Sequence, residues 1–254
     1  MRPLIAGNWK MHGLAGQVIE IERIAANVCA RPPEADVLIC VPATLLCMAV
    51  KAAAGRICLG GEDCHAEASG PFTGDISAEM LKDAGAAAVI VGHSERRRSH
   101  QETNAMVAAK ATAAQRGGLS AIICIGESQA QRRSGEALAV SAAQIAGSVP
   151  ADLARCGSMS VAYEPLWAIG TRIVPSLDQI AEMHRHIRTL LAGLAGPDGA
   201  GIRILYGGSV TAGNAADILG LPDVDGVLIG GASLHAADFD AVLRCLPERG
   251  CGLL

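Results

Sequence analysis

The chain predicts an α/β fold, a closed (β/α)8 barrel built as a single domain over 1–254. Three observations carry this. Eight short apolar runs recur along the 254 residues, most of them separated by Ala-rich segments of helical length. Half the residues are apolar, yet there are only two each of Phe, Trp and Tyr. The core must therefore be built from Ala, Val, Ile and Leu, which suits parallel strands buried on both faces. The polar residues able to do chemistry gather just after the runs, at the end of such a barrel where active sites sit. An open doubly wound sheet shares the alternation, but no GxGxxG follows the first run and no GxxxxGKS/T occurs. No linker, low-complexity tract or domain-sized shift in composition divides the chain.

In order along the chain, Pro3–Trp9 is the first strand, closing on Asn8 and Lys10. Val37–Val41 and Ile57–Gly60 follow, one stopped by Pro42 and the other by Gly61. Ile76–Ala84 reads as an amphipathic helix leading to Ala87–Val91, which stops at Gly92 with His93 and Glu95 behind it. The helix Ala105–Arg116 leads to Leu119–Ile125, and Leu138–Gly147 leads to Met159–Tyr163, which ends on Glu164. The helix Leu177–Leu191 leads to Ile202–Tyr206, which breaks at Gly207-Gly208 before Ser209. Gly226–Ile229 is the eighth strand, broken by Gly230-Gly231, with a short helix expected from near Ala232.

The bulk properties exclude several classes. A formal charge of −4 with acids and bases interspersed argues against nucleic acid or a membrane surface as partner. The longest basic run, Arg96-Arg97-Arg98, reads as a solvated helix face. Nine cysteines are scattered without a CxxC pair. Reduced thiols used as small core residues, in a soluble cytoplasmic protein with no signal peptide, are the expectation. No apolar stretch is long enough to span a bilayer. His184 and His186 stand two apart on a predicted helix and diverge, so no metal site is expected. Cys124 reads as a packed residue, with Glu127 in a supporting role.

The chemistry concentrates in four places. Tyr163-Glu164-Pro165-Leu166-Trp167-Ala168-Ile169-Gly170-Thr171 ends an apolar strand on a carboxylate and then starts a stiff loop. Pro165 fixes its exit and Gly170 supplies a permissive backbone at the far end. Such a segment, Pro165 to Thr171, can close as a lid over a general base. His93 opens a helix, where positive partial charge favours a neutral imidazole able to donate to a developing oxyanion. Asn8 and Lys10, two apart on extended backbone, point to one side, and Lys10 alone of four lysines sits at a strand mouth. Gly207-Gly208-Ser209 and Gly230-Gly231 follow consecutive strands and let backbone N–H groups approach a phosphate.

Gly7–Met11, Gly92–Arg97, Cys124–Glu127, Ala162–Pro165, Trp167–Thr171, Tyr206–Val210 and Gly230–Leu234 together resemble the triosephosphate isomerase family, in its order and spacing and over essentially the whole chain. The resemblance implies a TIM barrel that interconverts dihydroxyacetone phosphate and D-glyceraldehyde 3-phosphate through an enediolate, in glycolysis and gluconeogenesis, without a cofactor. By that resemblance Glu164 is the base and His93 the electrophile, a pairing that this family commonly illustrates. Lys10 and Asn8 assist, and Glu95 orients Lys10 or the base. Gly170, Ser209, Gly230 and Gly231 hold the phosphate. The resemblance also implies a homodimer in which the 61–75 loop enters a second copy, with Thr73 reaching its Asn8 and Lys10. Isomerisation of a tetrulose phosphate, and a non-catalytic barrel kept for binding, are the alternatives. The latter predicts loss of Lys10, His93 or Glu164, and all three are present.

Three departures from the family pattern stand out. Glu62 replaces a common Gln, so a partner or a raised pKa is expected for it. Leu166 replaces a common Val in the near hinge. Arg172-Ile173-Val174 replaces a smaller far hinge, which predicts altered lid kinetics with unaltered chemistry.

Overall fold

The computed structural model describes residues 1–150, 152, 159–171 and 173–246. Eight parallel strands close on themselves in sequence order: β1 Leu4–Asn8, β2 Asp36–Cys40, β3 Cys58–Gly61, β4 Ala88–Val91, β5 Ser120–Ile125, β6 Met159–Tyr163, β7 Arg203–Tyr206 and β8 Gly226–Ile229. Closure joins β1 to β8 through Leu4↔Gly226 and Gly7↔Ile229. Around them run α1 Val18–Ala30, α2 Ala43–Ala53, α3 Ala78–Asp83, α4 Ser94–Ser99, α5 Asn104–Arg116, α6 Gln129–Arg133, α7 Ala137–Ser148, α8 Leu177–Ala195, α9 Ala215–Leu219 and α10 Ala236–Leu243.

Strand alternation sorts the core into two layers. Leu4, Ala6, Leu38, Cys40, Ala88, Ile90, Ile122, Cys124, Ala162, Leu205 and Leu228 pack together inside the barrel. The intervening residues, such as Ile5, Ile39, Val89, Ile123 and Val161, face the helices. A row of inward residues therefore ends, on β1, at Asn8, and this is how the barrel delivers a polar side chain to its rim.

The β6 and β8 bounds coincide with those expected, and the other strands differ by one or two residues. α3 begins later than expected because Ser77 caps it, accepting from the Met80 N–H at 3.2 Å. The short helix expected near Ala232 is a 3-10 helix, Gly231–Leu234, which stops as His235 turns extended. Two further expectations need correction. Cys40, Cys64 and Cys124 are core residues, but Cys29, Cys47 and Cys58 are exposed. Arg96 and Arg97 are not a solvated face. Arg96 pairs with Asp63 and Glu102, and Arg97 ties Gly92 and Cys124 carbonyls at the ends of β4 and β5.

His184 and His186 do diverge. His186 Nε2 bonds the Leu138 carbonyl, while His184 is fully buried near Tyr163 and Tyr206, with Nδ1 on the Asp223 carbonyl at 2.9 Å. Its Nε2 has no partner among the described residues, so a second proton would have no acceptor. Burial pushes its pKa down to about 4. The unfolded chain takes up that proton near the ordinary 6.5, so His184 stability is complete above pH 6.5 and is lost as pH falls through about 4. Wild type is expected to lose about 3 kcal/mol of unfolding free energy over this window from His184 alone. Urea titrations should show a shallower acid slope in His184→Gln, and equal slopes would remove His184 as the cause.

Candidate active site

The strand ends converge on a cavity of about 330 Å³ lined by Asn8, Lys10, His93, Glu164, Gly170, Ser209, Gly230 and Gly231, among others. Glu95 stands just outside it, lining an adjoining cavity of about 510 Å³ with Asn8, Lys10, Glu62 and His93. Thr73 lies on the exposed tip of the 61–77 loop and is not part of either lining.

Asn8 and Lys10 reach the same place by a route the extended-backbone argument did not foresee. Asn8 ends β1, and Lys10 is left-handed at φ +58°, a conformation costly for a side-chain-bearing residue. The Asn8 carboxamide holds that turn by accepting from the Lys10 N–H at 3.1 Å. Lys10 Nζ then pairs with Glu95 Oε1 at 2.7 Å. Burial alone would raise the Glu95 pKa, but the Lys10 hydrogen bond and the Lys10 and Arg98 charges oppose it, and it stays lowered. Of the two groups it was expected to orient, Glu95 contacts Lys10 and not Glu164.

His93 is the N-cap residue of α4, and its Nδ1 accepts from the Glu95 N–H at 3.3 Å. That leaves the proton of a neutral ring on Nε2, which lies 2.9 Å from Glu164 Oε1. Glu164 is 1% exposed. Its carboxylate also accepts from the Ser94 N–H at 2.9 Å and the Ser94 hydroxyl at 3.0 Å. One Nε2–H cannot serve this carboxylate and a second acceptor equally, so a ligand oxygen at His93 would compete with Glu164. Ser94 was missed as a site residue although it lies inside the Gly92–Arg97 motif. Its signal was position alone, first in a helix that follows a strand carrying the histidine.

The Gly207-Gly208 pair has a second reason to lack side chains. A Cβ at Gly207 would come within 3.1 Å of Glu164 Cγ, and one at Gly208 within 2.2 Å of the Tyr206 hydroxyl. Gly231 has open space where a Cβ would be, so its backbone faces the cavity freely. Cys124 is no nucleophile: burial first, then the Glu164 charge, push its thiol well up.

The segment 165–171 is a chain of tight turns. Ala168 and Ile169 N–H groups both donate to the Pro165 carbonyl, and Gly170 takes φ +70°. Trp167 Nε1 donates to Glu127 Oε1 at 2.8 Å. The same buried Glu127 oxygen accepts from the Tyr163 hydroxyl at 3.0 Å, and Arg132 approaches it at 3.4 Å. Glu127 is therefore an anchor for the loop as well as a support. Leu166 is half-buried, while Arg172 lies outside the described residues. Glu62 has the raised pKa expected of it. Burial pushes it up to about 8, the Lys10 backbone hydrogen bond opposes this, and Oε1 has no partner among the described residues.

Among the described residues no group of three or more His, Cys, Asp or Glu could hold a metal, and no helix is long and apolar enough to cross a membrane.

Comparison with known proteins agrees with the geometry. The sequence profile of the triosephosphate isomerase family matches residues 3–246. Triosephosphate isomerase of Afipia carboxidovorans is 54% identical over 248 residues, covering 97% of this chain and 98% of that protein. That of Ruegeria pomeroyi is 55% identical over 249 residues, with the same coverage. The crystal structure of the Bartonella henselae triosephosphate isomerase superposes with a TM-score of 0.89 at 46% identity, covering 96% of this chain and 99% of that one. A closed eight-stranded barrel, a carboxylate and an imidazole meeting at its rim, and similarity along nearly the full length have one reading: the chain belongs to the triosephosphate isomerase family.

Proposed function

We propose that this chain interconverts dihydroxyacetone phosphate and D-glyceraldehyde 3-phosphate in glycolysis and gluconeogenesis, as one 1–254 domain working in the cytoplasm. The observation that carries it is the meeting of Glu164, His93 and Lys10 in one cavity that Ser209, Gly230 and Gly231 also line. Glu164 takes a proton from C1 of the ketose and returns one to C2, while the hydroxyl proton on O1 passes to O2, so the aldose forms with no net gain or loss of protons or electrons. His93 Nε2 donates to the oxygen that gains charge, and Lys10, turned by Asn8 and Glu95, balances it electrostatically. The backbone N–H groups of Ser209, Gly230 and Gly231, with Gly170, receive the phosphate. Closure of Pro165–Thr171 excludes water, which protects the enediolate from losing phosphate. The tetrulose phosphate alternative finds no support in the relatives, which are named for the triose. Turnover of glyceraldehyde 3-phosphate by the purified chain, alongside a tetrulose phosphate, tests this reading, and a folded chain inactive on the triose would overturn it.

The working unit in this reading is a homodimer. Met11 is 96% exposed and Leu14 78%, with Met48, Phe72 and Met80 also open. Large apolar side chains left this open are suited to burial against a second copy. The adjoining cavity beside Lys10 and Glu95 suits the tip of a second copy's 61–77 loop. Thr73→Arg would bring a cation towards the neighbour's Lys10 and is expected to weaken association by roughly 2 kcal/mol or more. Sedimentation velocity should then show monomers with reduced activity, and an intact, active dimer would remove Thr73 from the contact.

A further inference from the structure

Gly126 stands one residue beyond β5, where strand pairing has stopped, and a single side chain bonds both of its backbone groups. Gln144, half-buried on α7, accepts from the Gly126 N–H through Oε1 at 2.7 Å and donates from Nε2 to the Gly126 carbonyl at 3.0 Å. The carboxamide thereby reproduces the two-sided bonding of one more rung of sheet.

What rests on that rung is the base. A Cβ at Gly126 would lie 1.8 Å from the Glu164 carbonyl oxygen and 2.5 Å from Leu166 Cδ1. The Glu164 N–H donates to the Ile125 carbonyl at 2.7 Å, one residue before Gly126. One residue after it, fully buried Glu127 holds Tyr163 and the loop residue Trp167. The Gly126 peptide thus has the base on one flank and the loop's anchor on the other.

We propose that Gln144 is a positioning residue for the isomerisation: its two bonds to Gly126 set the Glu164 backbone and the Glu127 carboxylate together, keeping base and lid in register. Gln144 is not part of the cavity lining and acts only through residue 126. The inference rests on Glu164 being the base. Released from Gln144, the 125–127 segment must find other partners for its polar groups, and small shifts there move the carboxylate against the carbon it deprotonates.

The test is kcat and KM on glyceraldehyde 3-phosphate, measured across pH, for wild type, Gln144→Met and Gln144→Glu. Methionine matches the length but bonds neither group of Gly126. Its kcat is expected to fall about 10- to 100-fold with KM within about threefold, since geometry at the transition state is lost and phosphate binding is not. Glutamate still accepts from the Gly126 N–H but donates to the carbonyl only when protonated. Its activity relative to wild type should therefore recover as pH falls. A purely scaffolding role would lower the melting temperature and leave kcat of the folded enzyme unchanged, overturning the proposal. A Gln144→Glu profile parallel to wild type would do the same, and that variant alone decides if the methionine form does not fold. An active wild type with equally active variants overturns this role alone, whereas an inactive wild type removes the underlying assignment and this role with it.

Discussion

Glu164→Gln is expected to lower kcat on glyceraldehyde 3-phosphate by about 10³-fold, the scale of a positioned general base. The amide keeps the size of the carboxylate, and its oxygen can still accept from His93 and the Ser94 hydroxyl, so the buried seat stays filled although the Ser94 N–H contact is lost. What it lacks is affinity for a proton. KM should change little, because the residues proposed to hold the phosphate, Ser209, Gly230 and Gly231, are untouched. A steady-state assay with a melting curve distinguishes this from misfolding. A variant that keeps more than about a tenth of wild-type kcat would show that another group takes the proton.

Glu62→Gln is expected to stabilise the protein, and increasingly so as pH rises. In the folded chain Glu62 keeps its proton up to about pH 8, because burial disfavours the anion and the Glu95 charge adds to that, against the opposing Lys10 contacts. Unfolded, it ionises near its ordinary 4.5. The folded state therefore binds the extra proton, and wild-type stability drops as pH climbs from about 4.5 through about 8. Glutamine carries no such proton, so the two proteins should differ little from this source at low pH and most above pH 8. Glu62 is only half-buried, and allowing for water on its open side the gain is about 2 kcal/mol. Chemical denaturation at several pH values measures it. A difference independent of pH, or one that shrinks at alkaline pH, would contradict the assignment.

The barrel was legible because its signal is repetition. Eight apolar runs, each broken by Gly, Pro or a charge, are hard to arrange otherwise in a chain with so few aromatic residues. The rim was legible because polar residues that end buried strands have few structural uses, and Glu164, His93 and Lys10 do meet. Three features could not be read. The left-handed turn at Lys10 depends on a bond from Asn8 that a strand pattern does not encode. The Arg97 network joins Gly92, Asn104, Cys124 and Ser148, which only the closed barrel brings together. The exposed positions of Cys29, Cys47 and Cys58 depend on which side of each element faces out, and a thiol suits either side.

The hydrogen bonds from His93 and Ser94 to Glu164 set an internal carboxylate against any ligand that seeks the same donors. A ligand that needs His93 must first displace an internal anion. Its measured affinity is then the intrinsic affinity scaled by the fraction of molecules in which the carboxylate has already swung aside. A ligand that engages only Ser209 and Gly230-Gly231 meets no such rival. Ligands that need His93 and ligands that do not therefore report on two different populations of the same protein, and the gap between their affinities measures how firmly the Glu164 carboxylate is held.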